Sequence, residues 1–310
     1  MATSAAAVAR ISLVKKPVPQ AAARRSPLRS KALRKAPEAP PAKPFIKWVG
    51  GKGRLLPQLT PLLPEGVERM RHVEPFVGGG AFFFAQRPQR ALLCDVNGKL
   101  VRTYQAIRED VEGVLEALEP LAAVHTKEKF YERRSEYNTG RHSNAEHAAL
   151  FIYLNRTCFN GLHRVNRKGE FNVPFGRYTN PKISDPVGLR AASAALRRST
   201  IVRDGFEGLL RRAKPGDFVY LDPPYEPVSE TASFTSYATG GFSQDDQRRL
   251  RDVFAELDRR GCKLMLSNSD VPFIRGLYAK WNIDVVYAGR AINSNGSKRG
   301  KVPEVVVRNY

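Results

Sequence analysis

The sequence predicts an α/β fold in which a sheet is interrupted by an inserted helical segment. Short apolar runs ending in glycine or an acid alternate with stretches of helical apolar spacing. The stretch between the second and third such runs is far too long for a single crossover connection.

Each element follows from local pattern. A first strand near His72–Phe76 runs into Val77-Gly78-Gly79-Gly80. A second, Ala91–Cys94, ends at Asp95. Residues 98–185 carry helical patterns over 98–119, 127–137 and 143–157, then a basic, glycine-bearing loop. A third strand, Asp217–Leu221, ends at Asp222, and a fourth, Lys263–Leu266, ends at Ser267-Asn268. Between Ser243 and Arg259, Leu250, Val253, Phe254 and Leu257 recur at helical spacing, with Ser243 and Asp246 forming a capping box. Asn282–Tyr287 and Val302–Val307 read as late strands, antiparallel to some of the others. The domain organisation expected is a basic tail over 1–44, a sheet built from 45–97 and 186–310, and an inserted segment over 98–185.

Composition narrows the function classes. Three cysteines with no C-x-x-C pair argue against a disulfide scaffold, structural zinc or an iron–sulfur cluster, and no metal site is expected. No apolar run reaches the length of a membrane span. The outlier is charge: 51 Lys+Arg against 30 Asp+Glu, a net +21 that calls for a polyanionic partner. Residues 1–44 hold ten basic residues and one acid, Glu38, in an Ala/Pro/Ser-rich stretch that the sequence predicts to be disordered. A phosphate-binding arm is the favoured reading of this stretch. An organellar transit peptide and an inert extension stay open. Two further basic patches lie at Arg156–Lys182, which contains Phe159, Phe171, Phe175 and Tyr178, and at Arg290–Lys301.

Four motifs carry chemistry. Gly78-Gly79-Gly80 after Phe76 allows close backbone approach to a ligand, although a plain tight turn has the same signature. Asp95, 17 residues beyond Gly78, suits a ribose diol or a helix cap. Asp222-Pro223-Pro224-Tyr225 is the most specific. Its prolines fix the backbone, its carboxylate and carbonyls accept hydrogen bonds, and Tyr225 offers a flat face, together a grip for an exocyclic amino group. Phe45-Ile46-Lys47-Trp48-Val49-Gly50-Gly51-Lys52 could close over a cofactor or meet a phosphate. The segment Asn155–Arg164 with Gly169–Tyr178 has the residue types that read base edges and wedge into a base stack; a structured hairpin with a solvated basic face is the alternative.

Taken in this order, the motifs resemble the Dam-type DNA adenine methyltransferases, which methylate adenine in GATC. Ser294-Asn295-Gly296 belongs to the same resemblance, which covers Phe45 to about Tyr310. It implies a Rossmann-like S-adenosylmethionine-dependent methyltransferase sheet with an inserted helical DNA target-recognition domain. It assigns S-adenosylmethionine to Trp48, Lys52, Phe76, Gly78, Gly80, Asp95 and Asp222. It assigns the flipped adenine to Asp222, Pro223 and Tyr225. It assigns double-stranded DNA to Lys47, Phe159, Asn160, Leu162, Arg164, Pro174 and Arg177. Phe159 stands where tyrosine is more usual, and His163 and Val165 depart from the pattern. The resemblance further implies a cytoplasmic enzyme, bacterial or phage-encoded, without an obligate protein partner; a cognate restriction nuclease stays open. Two other functions remain: amino-group methylation of cytosine, and a catalytically silent DNA binder. Carbon-5 cytosine methylation lacks its Pro-Cys nucleophile, and a zinc deaminase lacks its H-x-E and P-C-x-x-C pattern.

Overall fold

The structure, a computed structural model, describes residues 41–228, 242–289 and 301–310. Residues 1–40 of the basic tail, the Ser294–Gly296 motif and all of the Arg290–Lys301 patch but Lys301 lie outside the described residues. Seven strands form one mixed sheet: β1 (His72–Glu74), β2 (Ala91–Asp95), β3 (Ser199–Arg203), β4 (Phe218–Leu221), β5 (Lys263–Ser269), β6 (Asn282–Gly289) and β7 (Lys301–Arg308). Their order is β3-β2-β1-β4-β5-β7-β6. The first five are parallel, while β7 runs antiparallel to both β5 and β6, as the late strands were expected to do. This is a Rossmann-like α/β arrangement.

The strands bury both faces, so their apolar runs alternate between the two sides of the sheet. Leu92 and Cys94 of β2, Val219 and Leu221 of β4, and Leu264 and Leu266 of β5 face one core. Phe218, Tyr220 and Met265 face another, and Ala91 and Leu93 a third on that same side. The described helices are α1 (Leu56–Leu59), α2 (Ala81–Gln86), α3 (Gly98–Glu109), α4 (Val111–Ala123), α5 (Lys127–Thr139), α6 (Asn144–Thr157), α7 (Pro186–Leu196), α8 (Leu209–Arg212), α9 (Gln244–Arg259) and α10 (Pro272–Leu277). Leu250, Val253, Phe254 and Leu257 of α9 pack on the first core. The expected capping box is present, with Ser243 and Asp246 satisfying each other's backbone N–H groups. Losing such a cap costs about 1 kcal/mol.

Two expectations are corrected. The predicted helix over 98–119 is two helices, because Asp110 leaves helical geometry and its carboxylate caps α4 at the Gly113 N–H. The strand β3 was not foreseen between Asp95 and Asp217. It is an edge strand, with only Ser199 and Ile201 buried, and so lacks a long apolar run. Helix α3 packs on the sheet through Gln105 and Arg108, which donate to the Ile201 and Ser199 carbonyls at 2.9 Å each. It also shares one continuous core with α4, α6 and α7. No described helix is long and apolar enough to cross a membrane.

Candidate active site

From β1 the chain proceeds outward to β2 and β3, and with β4 it turns to the other side. The carboxyl ends of β1 and β4 therefore flank the switch point where such sheets bind ligands. Asp222-Pro223-Pro224-Tyr225 leaves β4 there. Lys52, in a short 3-10 turn and buried, reaches Asp222 Oδ1 at 2.7 Å and donates to the Gly50 carbonyl at 2.8 Å. Its Nζ also lies 4.6 Å from the centre of the Tyr225 ring, and the Tyr225 hydroxyl donates to Glu304 Oε2 at 2.8 Å. About a fifth of the Asp222 side chain stays open to solvent. Burial pushes the Asp222 carboxyl up to about 6; Lys52 pulls the other way, and Glu74 and Glu304 add to the push. A carboxylate that is dear to desolvate is thus held by one lysine at the rim of a cleft.

Behind the motif, side chains fix its backbone. Gln247 Nε2 donates to the Pro224 carbonyl at 3.0 Å, and Asn268 Nδ2 donates to Gln247 Oε1 at 3.1 Å. Asn268 Oδ1 accepts from the Glu226 N–H at 3.0 Å. All of Gln247, Asn268 and Glu226 are buried, so the loop rests on a polar network inside the protein rather than on solvent; Gln244 Nε2 donates to Glu226 Oε1 at 2.7 Å, and Oε2 has no partner among the described residues.

At β1 the glycine turn is more than a plain tight turn. Gly78 has φ +48°, and a Cβ there would lie 2.7 Å from Cδ1 of Trp48. Gly80 has φ +68°, and a Cβ there would meet the Tyr104 hydroxyl at 2.7 Å. Asp95 Oδ2 accepts from the Gly78 N–H at 3.2 Å and Oδ1 from the Asn97 N–H at 2.9 Å. Burial raises its pKa against the pull of these N–H groups. The helix-cap reading of Asp95 is excluded, since Asn97 caps α3. Phe76 stacks on Phe206 at 5.9 Å and meets Phe242 edge-on at 5.9 Å, an aromatic group beside the turn.

The 158–178 segment is a hairpin-like loop, with bridges pairing Cys158 with Phe175 and Val165 with Phe171. Phe159, in the short 3-10 turn next to the Cys158–Phe175 bridge at the base of this hairpin, is 51% exposed, and Asn160 beside it adopts φ +54°. Asn160, Arg164, Pro174 and Arg177 are exposed, and Leu162 is half-buried. Arg164 Nε donates to Asn172 Oδ1 at 2.8 Å. Lys47 is tied to this loop rather than to Asp222. Its N–H donates to Asn155 Oδ1 at 2.7 Å, Asn155 Nδ2 donates back to the Lys47 carbonyl at 2.8 Å, and Nζ sits 4.0 Å over Tyr178.

A model of the D12 class of N6 adenine-specific DNA methyltransferases matches residues 48–292. The chain belongs to this family. It is therefore an adenine-specific DNA methyltransferase, with Dam-type relatives. It is 44% identical over 273 residues to a Type II methyltransferase, M1.LlaDCHI, of Lactococcus lactis subsp. cremoris, covering 86% of this chain and 95% of that one. It is 41% identical over 286 residues to the Type II methyltransferase M.MjaIII of Methanocaldococcus jannaschii, covering 86% and 99%. Against the DNA adenine methylase of Escherichia coli K12 the identity is 36% over 264 residues, covering 84% and 93%.

The methyltransferase's foreseen residues fall into two groups. Lys52, Asp222 and Tyr225 meet at one point, and Trp48, Gly78 and Asp95 meet at another. Sequence reasoning missed Glu304, Tyr104, Asn155 and His163. Tyr104 donates to the Gly78 carbonyl at 3.1 Å. The His163 ring stacks between Trp48, at 5.5 Å, and Phe151, at 5.4 Å. Burial pushes the His163 pKa down to about 4, so the ring is neutral at physiological pH. The departure at position 163 thus supports Trp48, which in turn covers the glycine turn. Among the described residues, no group of three His, Cys, Asp or Glu side chains is placed to hold a metal.

Proposed function

We propose that the enzyme methylates the exocyclic amino group of adenine within GATC in duplex DNA, after rotating the base out of the helix. The observation that carries this reading is the Asp222 carboxylate, held by Lys52 beside the Tyr225 ring at the mouth of the β1/β4 cleft. The adenine amino nitrogen is a poor nucleophile because its lone pair is delocalised into the ring. Accepting its hydrogens on Asp222 and on the Pro223 carbonyl concentrates electron density on that nitrogen and stabilises the positive charge it gains. The base must first leave the stack, at a cost of about a few kcal/mol.

The residues present fit S-adenosylmethionine as methyl donor. Gly78 lets the Trp48 indole lie close against the glycine turn, Asp95 supplies carboxylate oxygens at the end of β2, and Phe76 supplies an apolar face. Trp48, Lys52, Phe76, Gly78, Gly80, Asp95 and Asp222 would hold it. When bound, it supplies an electrophilic methyl group.

The 98–185 segment serves as the target-recognition domain in this reading. Lys47, Phe159, Asn160, Leu162, Arg164, Pro174 and Arg177 are its DNA-facing set, with Phe159 as the wedge. Support comes from the exposure of Phe159, a large apolar ring left half open to solvent in the short turn that follows α6. The Type II names of two relatives fit a cognate restriction nuclease as partner. The test is to express the protein in cells lacking adenine methylation and map modified bases on plasmid DNA. Methylated adenine at GATC is expected. Modification confined to cytosine, or to adenines outside that tetranucleotide, overturns the proposal.

A further inference from the structure

The carboxyl edge of the sheet is the reacting edge; the amino edge carries charge that the reaction does not use. The residues just before β3, β2 and β1 are Arg198, Arg90 and Arg71, and they lie side by side. Ala91 N–H donates to the Arg198 carbonyl, His72 N–H to the Arg90 carbonyl and Phe218 N–H to the Arg71 carbonyl. Neighbouring strands are about 4.8 Å apart, so three arginines occupy a row about 10 Å long. Arg197 precedes Arg198 and Arg87 lies three residues before Arg90 in the chain, and Arg69 and Lys214 flank an open cleft of about 480 Å³ lined also by Arg71, Arg90, Glu65 and Asp217.

Arg71 is neutralised: its guanidinium pairs with Asp217 and donates to the Arg212 carbonyl at 2.8 Å. Arg69 faces only Glu68, at 3.6 Å, with both side chains well exposed, a pair worth little. For Arg87, Arg90, Arg197, Arg198 and Lys214, all exposed, no carboxylate lies within ion-pair distance among the described residues. Like charges side by side on adjacent strands repel, so this row costs folding energy unless an external anion neutralises it. Six of the rim's seven cations are arginine, whose planar fork matches phosphate oxygens in pairs.

We infer that this amino-edge rim is a second, sequence-independent binding surface for duplex DNA, separate from the cleft at Asp222. The strands set the two edges about 15 Å apart. A duplex engaged at the cleft therefore leaves the rim free to hold another stretch of DNA, either a second molecule or a distant part of the same one. The rim's guanidinium and ammonium groups hold phosphates, contacts that carry no sequence information. An enzyme holding two segments can pass from one to the other without full release.

The experiment uses the full-length protein with Arg87→Glu, Arg90→Glu, Arg198→Glu and Lys214→Glu combined, leaving the Arg71–Asp217 pair intact. A GATC duplex is immobilised and saturated with protein, and capture of a labelled second duplex lacking GATC is measured at several salt concentrations. The parent should capture it and the variant should lose at least tenfold. The slope of log affinity against log salt for that second duplex should flatten by about three units, since each neutralised phosphate contributes about 0.9. Single-turnover methylation of a short GATC duplex should stay within twofold of the parent. If the reversal variant does not fold, the same four positions changed to Gln give the same reading with a smaller loss. Undiminished capture overturns the inference, as does an equal loss of single-turnover rate. Capture of an acidic polypeptide in preference to duplex would assign the rim to a protein partner instead and also overturn it.

Discussion

The β1/β4 cleft and the 158–178 loop are built to opposite rules. At the cleft the groups of the site are already held by one another: Asp222 by Lys52, Tyr225 by Glu304, Gly78 by Asp95 and Tyr104. On the loop, Phe159, Asn160, Pro174 and Arg177 project into solvent, and Arg164 is held only by Asn172, at an exposed position. Chemistry needs groups that are desolvated and immobile before substrate arrives, because reorganisation during reaction raises the barrier. Reading needs donors and apolar surface left unsatisfied until the right partner supplies the complement. Substitutions in the two regions should therefore fail in different ways.

The largest effect is expected from Asp222→Ala. It removes the charged acceptor, so single-turnover methylation should fall by more than a thousandfold while duplex affinity changes little. A loss within tenfold, only about 1.4 kcal/mol of barrier, would mean that another group carries the role. The same carboxyl must be ionised to act as the charged acceptor for its share of the amino hydrogens. With its pKa pushed up to about 6, the single-turnover rate should climb with pH through that value and then level off. A rate that is flat from pH 5 to 8 would remove Asp222's ionisation from the account.

Next in size is Gly78→Ala. The new methyl must sit at φ +48° and 2.7 Å from the Trp48 indole, so it displaces Trp48 or the turn. Calorimetry should show S-adenosylmethionine affinity at least tenfold weaker, with duplex binding unaltered. Unchanged cofactor affinity would move the cofactor site away from the turn. A smaller and more selective effect is expected from Arg164→Ala. If Arg164 leaves Asn172 for a guanine edge, discrimination at one base pair should drop by about 1–3 kcal/mol. Uniform weakening on all sequences would make Arg164 a phosphate contact. The smallest should come from deleting residues 1–44, which carry a net +9. The salt dependence of duplex binding should flatten, and single-turnover rate at saturating DNA should hold.

What was legible in the chain was local. Strands that end in Asp95 and Asp222, the capping box at Ser243 and the glycine turn each leave a signature within a few residues. The Asp-Pro-Pro-Tyr motif was readable because its prolines and acid act as neighbours. The unread features depend on topology. Tyr225 meets Glu304 because β7 inserts between β5 and β6, and Lys47 meets Asn155 because α6 packs beside the first described turn. No nearby residue signals either pairing. The edge strand β3 was hidden for a related reason: with one short buried pair, Ser199 and Ile201, it lacks the continuous apolar run that marked the central strands. His163 looked like a departure from pattern, and only its stack between Trp48 and Phe151 explains it.

The central claim is that reacting and reading reside in separable groups, Asp222 at the cleft and Arg164 on the loop. Single-turnover methylation of a GATC duplex and of a duplex altered at one base pair, each at saturating DNA, tests it most directly across the parent, Asp222→Ala and Arg164→Ala. The account predicts no transfer to either duplex by Asp222→Ala. It predicts near-parental transfer to GATC by Arg164→Ala, with the altered duplex now methylated at a comparable rate. Discrimination retained by Arg164→Ala together with a lost rate on GATC would contradict it.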